Sequence, residues 1–137
     1  MRSNLLILAL SCLLGATGCD EKSPVGPTVP LNEQFTLALG QMASLQDTSV
    51  TVQFLRVSGD SRCPADAVCI QGGDALVHIR AVNGSTAEYE LHTGDQSRAA
   101  ATHRDIRIEL VQLQPYPFSS RTIPADEYRA TFTATRR

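Results

Sequence analysis

The sequence predicts an all-β protein, an antiparallel β-sandwich of six or seven short strands, with a small β-barrel as the alternative architecture. Three observations predict it. Apolar residues recur with a period of two in run after run from Phe35 onward, the pattern of half-buried strands. Clusters of Gly, Asn, Asp and Ser stand between the runs, and these are turn formers. No long stretch after the N-terminus carries the 3.6-residue repeat of an amphipathic helix.

The runs follow in order. Phe35, Leu37 and Leu39 alternate with Thr36 and Ala38, and Gly40-Gln41 separates them from Met42–Leu45. Val50, Val52 and Phe54 alternate with Thr51 and Gln53; Leu55 and Val57 then switch phase, which predicts a bulge. Ser58-Gly59-Asp60 and Gly72-Gly73-Asp74 read as turns. Ala75, Val77, Ile79 and Ala81 form the next run, and Tyr89 and Leu91 the one after, alternating with Glu88, Glu90 and His92. Asn83-Gly84 between them predicts a type I′ hairpin, which needs positive φ at both positions. Gly94-Asp95 is a further turn, and Gln96–Thr102 reads as one helical turn. Ile106, Ile108 and Leu110, then Tyr128, Ala130, Phe132 and Ala134, complete the set. Pro115, Pro117 and Pro124 make the connection between the last two runs irregular. Short strands at this spacing suit a sandwich of the immunoglobulin-like kind.

Length and charge narrow the function. The 137 residues make one domain. Twelve basic residues stand against 14 acidic, a formal net charge of −2; this lacks the basic excess of a nucleic-acid binder, so no nucleic-acid partner is expected. Hydrophobic content of 42 % excludes a disordered chain. With 5 % aromatics and no Trp, the core must come mainly from Val, Leu, Ile and Ala.

The N-terminus reads as an address. Arg2 precedes a ten-residue apolar run, Leu5 to Leu14, about half of the roughly 20 residues a spanning helix needs and the size of a signal-peptide core. The run ends in Gly15-Ala16-Thr17-Gly18-Cys19. Small residues before a Cys resemble the lipobox of bacterial lipoproteins, with Ala16 where that family commonly has Leu. The resemblance implies that residues 1–18 are removed and that Cys19, diacylglycerylated on its thiol and acylated on its new amine, becomes the first residue. Several acyl chains, at ~0.8 kcal/mol per buried CH₂, anchor a domain stably. The implied partner is a membrane, and the implied location is the bacterial cell envelope, with the domain in the periplasm or outside the cell. Asp20 resembles the inner-membrane retention signal of enteric lipoproteins, and the leaflet stays open. Residues 19–32, polar with Pro24, Gly26, Pro27 and Pro30, read as an extended tether that holds the domain, residues 33–137, off the bilayer.

Cysteine arithmetic follows. On the reading that the lipobox resemblance implies, Cys12 leaves with the signal and Cys19 carries lipid, so Cys63 and Cys69 remain. In an oxidising compartment this pair is expected to form a disulfide, worth roughly 2–2.5 kcal/mol for so short a loop.

The most distinctive stretch runs from Asp60 to Asp74: Asp60-Ser61-Arg62-Cys63-Pro64, four residues, then Cys69-Ile70-Gln71-Gly72-Gly73. It resembles a signature of short exported bacterial lipoproteins, D-S-R-C-P-x4-C-x-W-x-G, with Gln71 in place of the Trp. Phe35, Leu37, Gly40 and Gln41, then Val52 and Phe54, then Tyr128, Ala130 and Phe132 resemble the same family's frame, so the likeness spans about residues 34–134. The family carries no established activity; the resemblance implies a fold and a compartment and supplies no catalytic residue. Independently of the family, Arg62 lies between Asp60 and Asp66 in sequence, placed to bond a carboxylate or loop carbonyls.

Two functional readings emerge. In the first, the chain is a lipid-anchored, non-enzymatic domain that binds or plays a structural part in the envelope, with an envelope protein as a candidate partner and no cofactor. Its candidate binding loops carry Arg62, Asp66 and Gln71, and Tyr116 and Phe118 in the proline-rich segment, since exposed aromatics mark binding hot spots; Phe118 is expected to fold back toward the core. In the second, Asp60, Asp66, Asp74 and His78 converge as a Ca²⁺ or hydrolytic site. Against the second, the aspartates fit no EF-hand spacing, C-x5-C lacks zinc spacing, and no G-x-S-x-G or C-x-x-C motif is present. His78, His92 and His103 read as exposed strand positions, and Glu88 and Glu90 as a solvated face.

Overall fold

A computed structural model describes residues 26–137. The signal segment, Cys12, Cys19 and the first part of the tether lie outside the described residues. Among the described residues nine strands form: β1 (Thr28–Val29), β2 (Gln34–Ala38), β3 (Met42–Leu45), β4 (Thr51–Asp60), β5 (Ala75–Asn83), β6 (Ser85–His92), β7 (Ala100–His103), β8 (Ile106–Gln114) and β9 (Arg129–Arg136). They make two sheets, β1-β3-β4-β5-β6 and β2-β9-β8-β7. All pairings are antiparallel except β1 with β3. The sheets pack face to face as a sandwich and do not close into a barrel. β3 to β6 run as one meander and β7 to β9 as another, a simpler route than the strand exchange between sheets of an immunoglobulin domain.

Alternation explains the packing. Val52, Phe54, Val77 and Ile79 from one sheet meet Leu37, Ile108, Ala130 and Phe132 from the other, all buried. Phe132 of β9 joins the layers: its ring lies 5.9 Å from that of Phe35 and 6.4 Å, edge-on, from that of Phe54. Such aromatic pairs add to the stabilisation from area burial.

Several local expectations are corrected. The segment after Gly26, read as tether, packs on the domain: Pro27 and Val29 accept hydrogen bonds from Ser44 and Gln46, because the free edge of β3 offers unpaired donors, and Val29 and Leu31 reach the core. Ser58-Gly59-Asp60 is no turn. It continues β4, whose ladder with β5 shifts register between Phe54 and Arg56 and again between Val57 and Gly59; the first shift is the bulge the phase switch predicts. At the β5–β6 hairpin only Gly84 takes positive φ (64°). Asn83 pairs with Ser85, so the loop is centred on the glycine and is not a two-residue type I′ turn. The helical turn is a 3₁₀ turn confined to Gln96–Arg98, with Asp95 capping it through Ser97 N. The alanines that follow pair with β8 instead.

Candidate functional site

The distinctive end of the sandwich is built on an extension of the β4–β5 ladder. Ser61 N donates to Asp74 O (2.7 Å) and Cys63 N to Gly72 O (3.0 Å). Gly73, at φ 64°, lets the returning chain pass against Ser61. Cys63 and Cys69 form the disulfide, with Cα atoms 5.9 Å apart, which closes the loop from Pro64 to Val68.

Arg62 is the hub. Its side chain is buried. Nε donates to Asp60 Oδ1 (2.8 Å) and Nη2 to Asp60 Oδ2 (2.6 Å), while Nη1 reaches Leu113 O (2.6 Å) and Nη2 also Pro115 O (2.9 Å). Its guanidinium lies 5.2 Å from the Tyr116 ring centre, a cation–π contact. Tyr128 Oη donates to Asp60 Oδ2 (2.9 Å). Burial alone would raise the Asp60 pKa, but the hydrogen bonds from Arg62 and Tyr128 outweigh it and hold the carboxyl below its ordinary value. Burial, together with the Asp60 carboxylate, pushes the Tyr128 hydroxyl up to about 12.

A second set of bonds fastens the same two segments. Asp66 accepts from Ser119 N (2.9 Å) and Ser119 Oγ (2.5 Å), and Ala65 N donates to Pro117 O (2.9 Å). The two candidate loops, about fifty residues apart in sequence, are therefore one body. Gln71 is exposed on it. Tyr116 and Phe118 are half exposed; Phe118 does not fold back, because the bonds at Pro117 and Ser119 turn its segment along the cysteine loop. Two further groups were missed by pattern alone. Val68 and Ile70, on either side of Cys69, have relative exposures of 103 % and 106 %.

Beside this body lies a cavity of about 290 Å³ between Arg62, His92, Ala99, Leu110, Leu113 and Tyr116, at the lower edge of the range for ligand pockets. Its residues come from separate segments, so no sequence pattern announces it. His92, expected on an exposed face, is buried because the turn around Asp74 and Gly94 covers it. Its Nδ1 bonds Asp74 Oδ2 and its Nε2 bonds Glu90 Oε1 (3.1 Å), so both ring nitrogens are engaged. His103 is also buried, against Tyr89.

The Ca²⁺ or hydrolytic constellation does not assemble. Asp60 serves Arg62 and Tyr128, Asp66 serves Ser119, and Asp74 accepts from Gly94 N (2.7 Å) and Thr93 Oγ1 (3.2 Å) besides His92. Among the described residues no group of three His, Cys, Asp or Glu converges to hold a metal ion. His78 Nε2 lies 2.6 Å from Ser58 Oγ, which invites comparison with a nucleophile and base. The other ring nitrogen faces Arg56 Nη2 at 3.3 Å, a group that only donates. Nδ1 must then accept, and Nε2 carries the proton toward Ser58, the reverse of activation. An orienting acid belongs on Nδ1; Glu90 instead approaches Nε2, at 3.6 Å. Burial, and then the charge of Arg56, lower the His78 pKa. Glu88 pairs with Arg80 (2.7 Å), as a partly solvated face would.

Comparison with protein-family models, curated proteins and solved structures finds no match for this chain.

Proposed function

We propose that the chain is a lipid-anchored domain of the bacterial envelope that works by binding, without catalysis, through the end where the cysteine loop meets the proline-rich segment. One observation carries this reading. Arg62 and Asp66 lock two distant loops into a single rigid body that nonetheless leaves Val68, Ile70, Tyr116 and Phe118 in water. Exposed apolar groups on a preorganised surface mark an interaction site. The lipobox-like Gly18-Cys19 supports the anchor, and the disulfide suits an oxidising compartment. The engaged state of Asp60, Asp74 and both nitrogens of His92 supports binding over chemistry.

Two measurements test the proposal in cells. A palmitate analogue labels the full-length protein and fails to label Cys19→Ser; an unlabelled wild type refutes the anchor. A photo-crosslinking residue in place of Val68 captures an envelope component, while the same residue in place of Glu33, at the opposite end of the sandwich, does not. Equal capture at both ends refutes the assignment of the binding end.

A further inference from the structure

The strand register fixes where the chain leaves the domain toward Cys19. β1 runs parallel to β3, with Thr28 opposite Ser44, and β3 runs antiparallel to β4, with Met42 opposite Gln53. Gly26 lies against Met42. Followed backward from Gly26, β1 therefore points along the direction in which β4 advances toward Asp60 and the cysteine loop. At Gly26 the described chain is thus headed toward the end of the sandwich that carries the exposed apolar body.

The lengths agree. Gly26 is level with the Gln53–Arg80 rung of the ladder. From Arg80 back to Ala75, where β5 begins, five strand residues at ~3.3 Å each cover about 16 Å, and Gly72–Asp74 carry the chain on to the partner of Cys63. The seven residues from Cys19 to Gly26 span at most about 25 Å even when fully drawn out. The leash is thus of similar length to the overhang of the loop beyond its root, and Val68 and Ile70 lie in the loop beyond the Cys63–Gly72 pair. The body is also suited to lipid. Between Pro64 and Gly73 the sole charged residue is Asp66, and its carboxylate is turned onto Ser119. The disulfide at Cys69 holds Val68 and Ile70 outward on either side, so presenting them costs no further ordering.

We infer that Val68 and Ile70, with Phe118 from the segment bonded to the same loop, form a second, non-covalent membrane contact, in which the tip of the disulfide loop inserts into the bilayer surface that holds the lipidated Cys19. The inference rests on the anchor proposed above and names the occupant of the binding end as a lipid surface. Two contacts at one end fix the orientation of the domain, leaving the β5–β6 hairpin at Gly84 farthest from the membrane.

The chain has no Trp, so Gln71→Trp supplies a single reporter while Val68 and Ile70 stay in place. The full-length acylated protein is reconstituted in phosphatidylcholine vesicles, with and without bromine on the acyl chains. The expected result is a blue-shifted emission that the brominated lipid quenches. Val68→Ser with Ile70→Ser in the same reporter protein abolishes the shift and the quenching, and a Val82→Trp reporter at the far end shows neither. Persistent quenching in the double variant, or equal quenching at Val82→Trp, overturns the inference. Palmitate labelling of the same preparation separates the two levels. A labelled, vesicle-bound protein whose reporter stays in water sinks the membrane contact alone, and an unlabelled protein sinks the anchor and the contact together. A reporter silent on vesicles that shifts when soluble envelope proteins are added overturns the lipid in favour of a protein.

Discussion

Arg62 and Asp60 form a two-pronged ion pair, Nε to Oδ1 and Nη2 to Oδ2, with both side chains largely shielded from water. Breaking such a pair by removing one member leaves the other charge buried without its partner, which costs about 3–5 kcal/mol. Arg62→Ala should therefore lower the urea midpoint by an amount equivalent to about 3–5 kcal/mol. Arg62→Lys keeps the charge but loses the planar fork and should recover only part of it. A loss below about 1 kcal/mol in Arg62→Ala would mean that the pair is solvated in solution.

How much of this was legible follows from which physical signal each part carries. Strands such as β2, β5 and β9 were readable because alternation in Phe35–Leu37, Val77–Ile79 and Ala130–Phe132 is the burial pattern itself. β1 was not, because two residues between Pro27 and Pro30 are too few to show a period. β7 was hidden by Ala100 and Ala101, which have little strand preference of their own. The disulfide was legible from the cysteine count and the expected oxidising compartment, and the reach of Arg62 to a carboxylate or to carbonyls from its place between Asp60 and Asp66. His92 was not, since its burial depends on a turn that returns over β6 from Asp74, eighteen positions earlier. Phe118 pointed the wrong way because its fate is set by bonds from another loop, to Pro117 and Ser119.

The Asp60–Tyr128 bond makes stability depend on pH at both extremes. The Asp60 pKa is depressed below its ordinary 3.8, so its contribution is present above that value and is lost as pH falls through the folded-state pKa. Tyr128 is raised from 10.0 to about 12, so its contribution is complete below pH 10 and disappears between about 10 and 12. Urea midpoints measured from pH 7 upward should begin to fall near pH 10 in the wild type. Tyr128→Phe, less stable at neutrality, should lack the share of this alkaline fall that comes from its hydroxyl. Parallel alkaline slopes in the two proteins would detach the effect from Tyr128.

The cysteine bridge spans six positions, so the chain entropy it removes is modest, about 2–2.5 kcal/mol. Peptide mapping without reductant should recover Cys63 joined to Cys69. The Cys63→Ser, Cys69→Ser protein should stay folded, with unchanged far-ultraviolet circular dichroism, and lose about 2 kcal/mol. The loop base survives because Arg62 and Asp66 still tie it to Leu113, Pro115 and Ser119. Global unfolding of that variant at neutral pH would show that the bridge, rather than these bonds, secures the end.

Two phenylalanines of equal size should behave oppositely. Phe132 has no exposure and contacts both layers, so Phe132→Ala removes core contacts and leaves a cavity, a cost of about 3–5 kcal/mol. Phe118 is half exposed, and Phe118→Ala should change stability by no more than about 0.5–1 kcal/mol while weakening whatever the loop end binds. Thermal melts of the two variants decide it, and a large loss in Phe118→Ala would place that ring in the core after all.

Adjacent glycines at the base of the loop give the sharpest contrast. A Cβ on Gly73 would come 1.8 Å from Ser61 O, at a backbone φ of 64°, so Gly73→Ala meets both steric overlap and an unfavourable conformation. It must displace the segment after β4 that carries Arg62, one residue from the contact, and so disturb the grip on Leu113 and Pro115. Gly72 has open space where a Cβ would go and no positive φ, so Gly72→Ala should leave stability unchanged or raise it by up to about 1 kcal/mol through the unfolded chain. Denaturant midpoints of the two variants should separate by at least about 2 kcal/mol. Equal midpoints would mean that the chain passes Ser61 with room to spare and that the loop base is looser than its hydrogen bonds indicate.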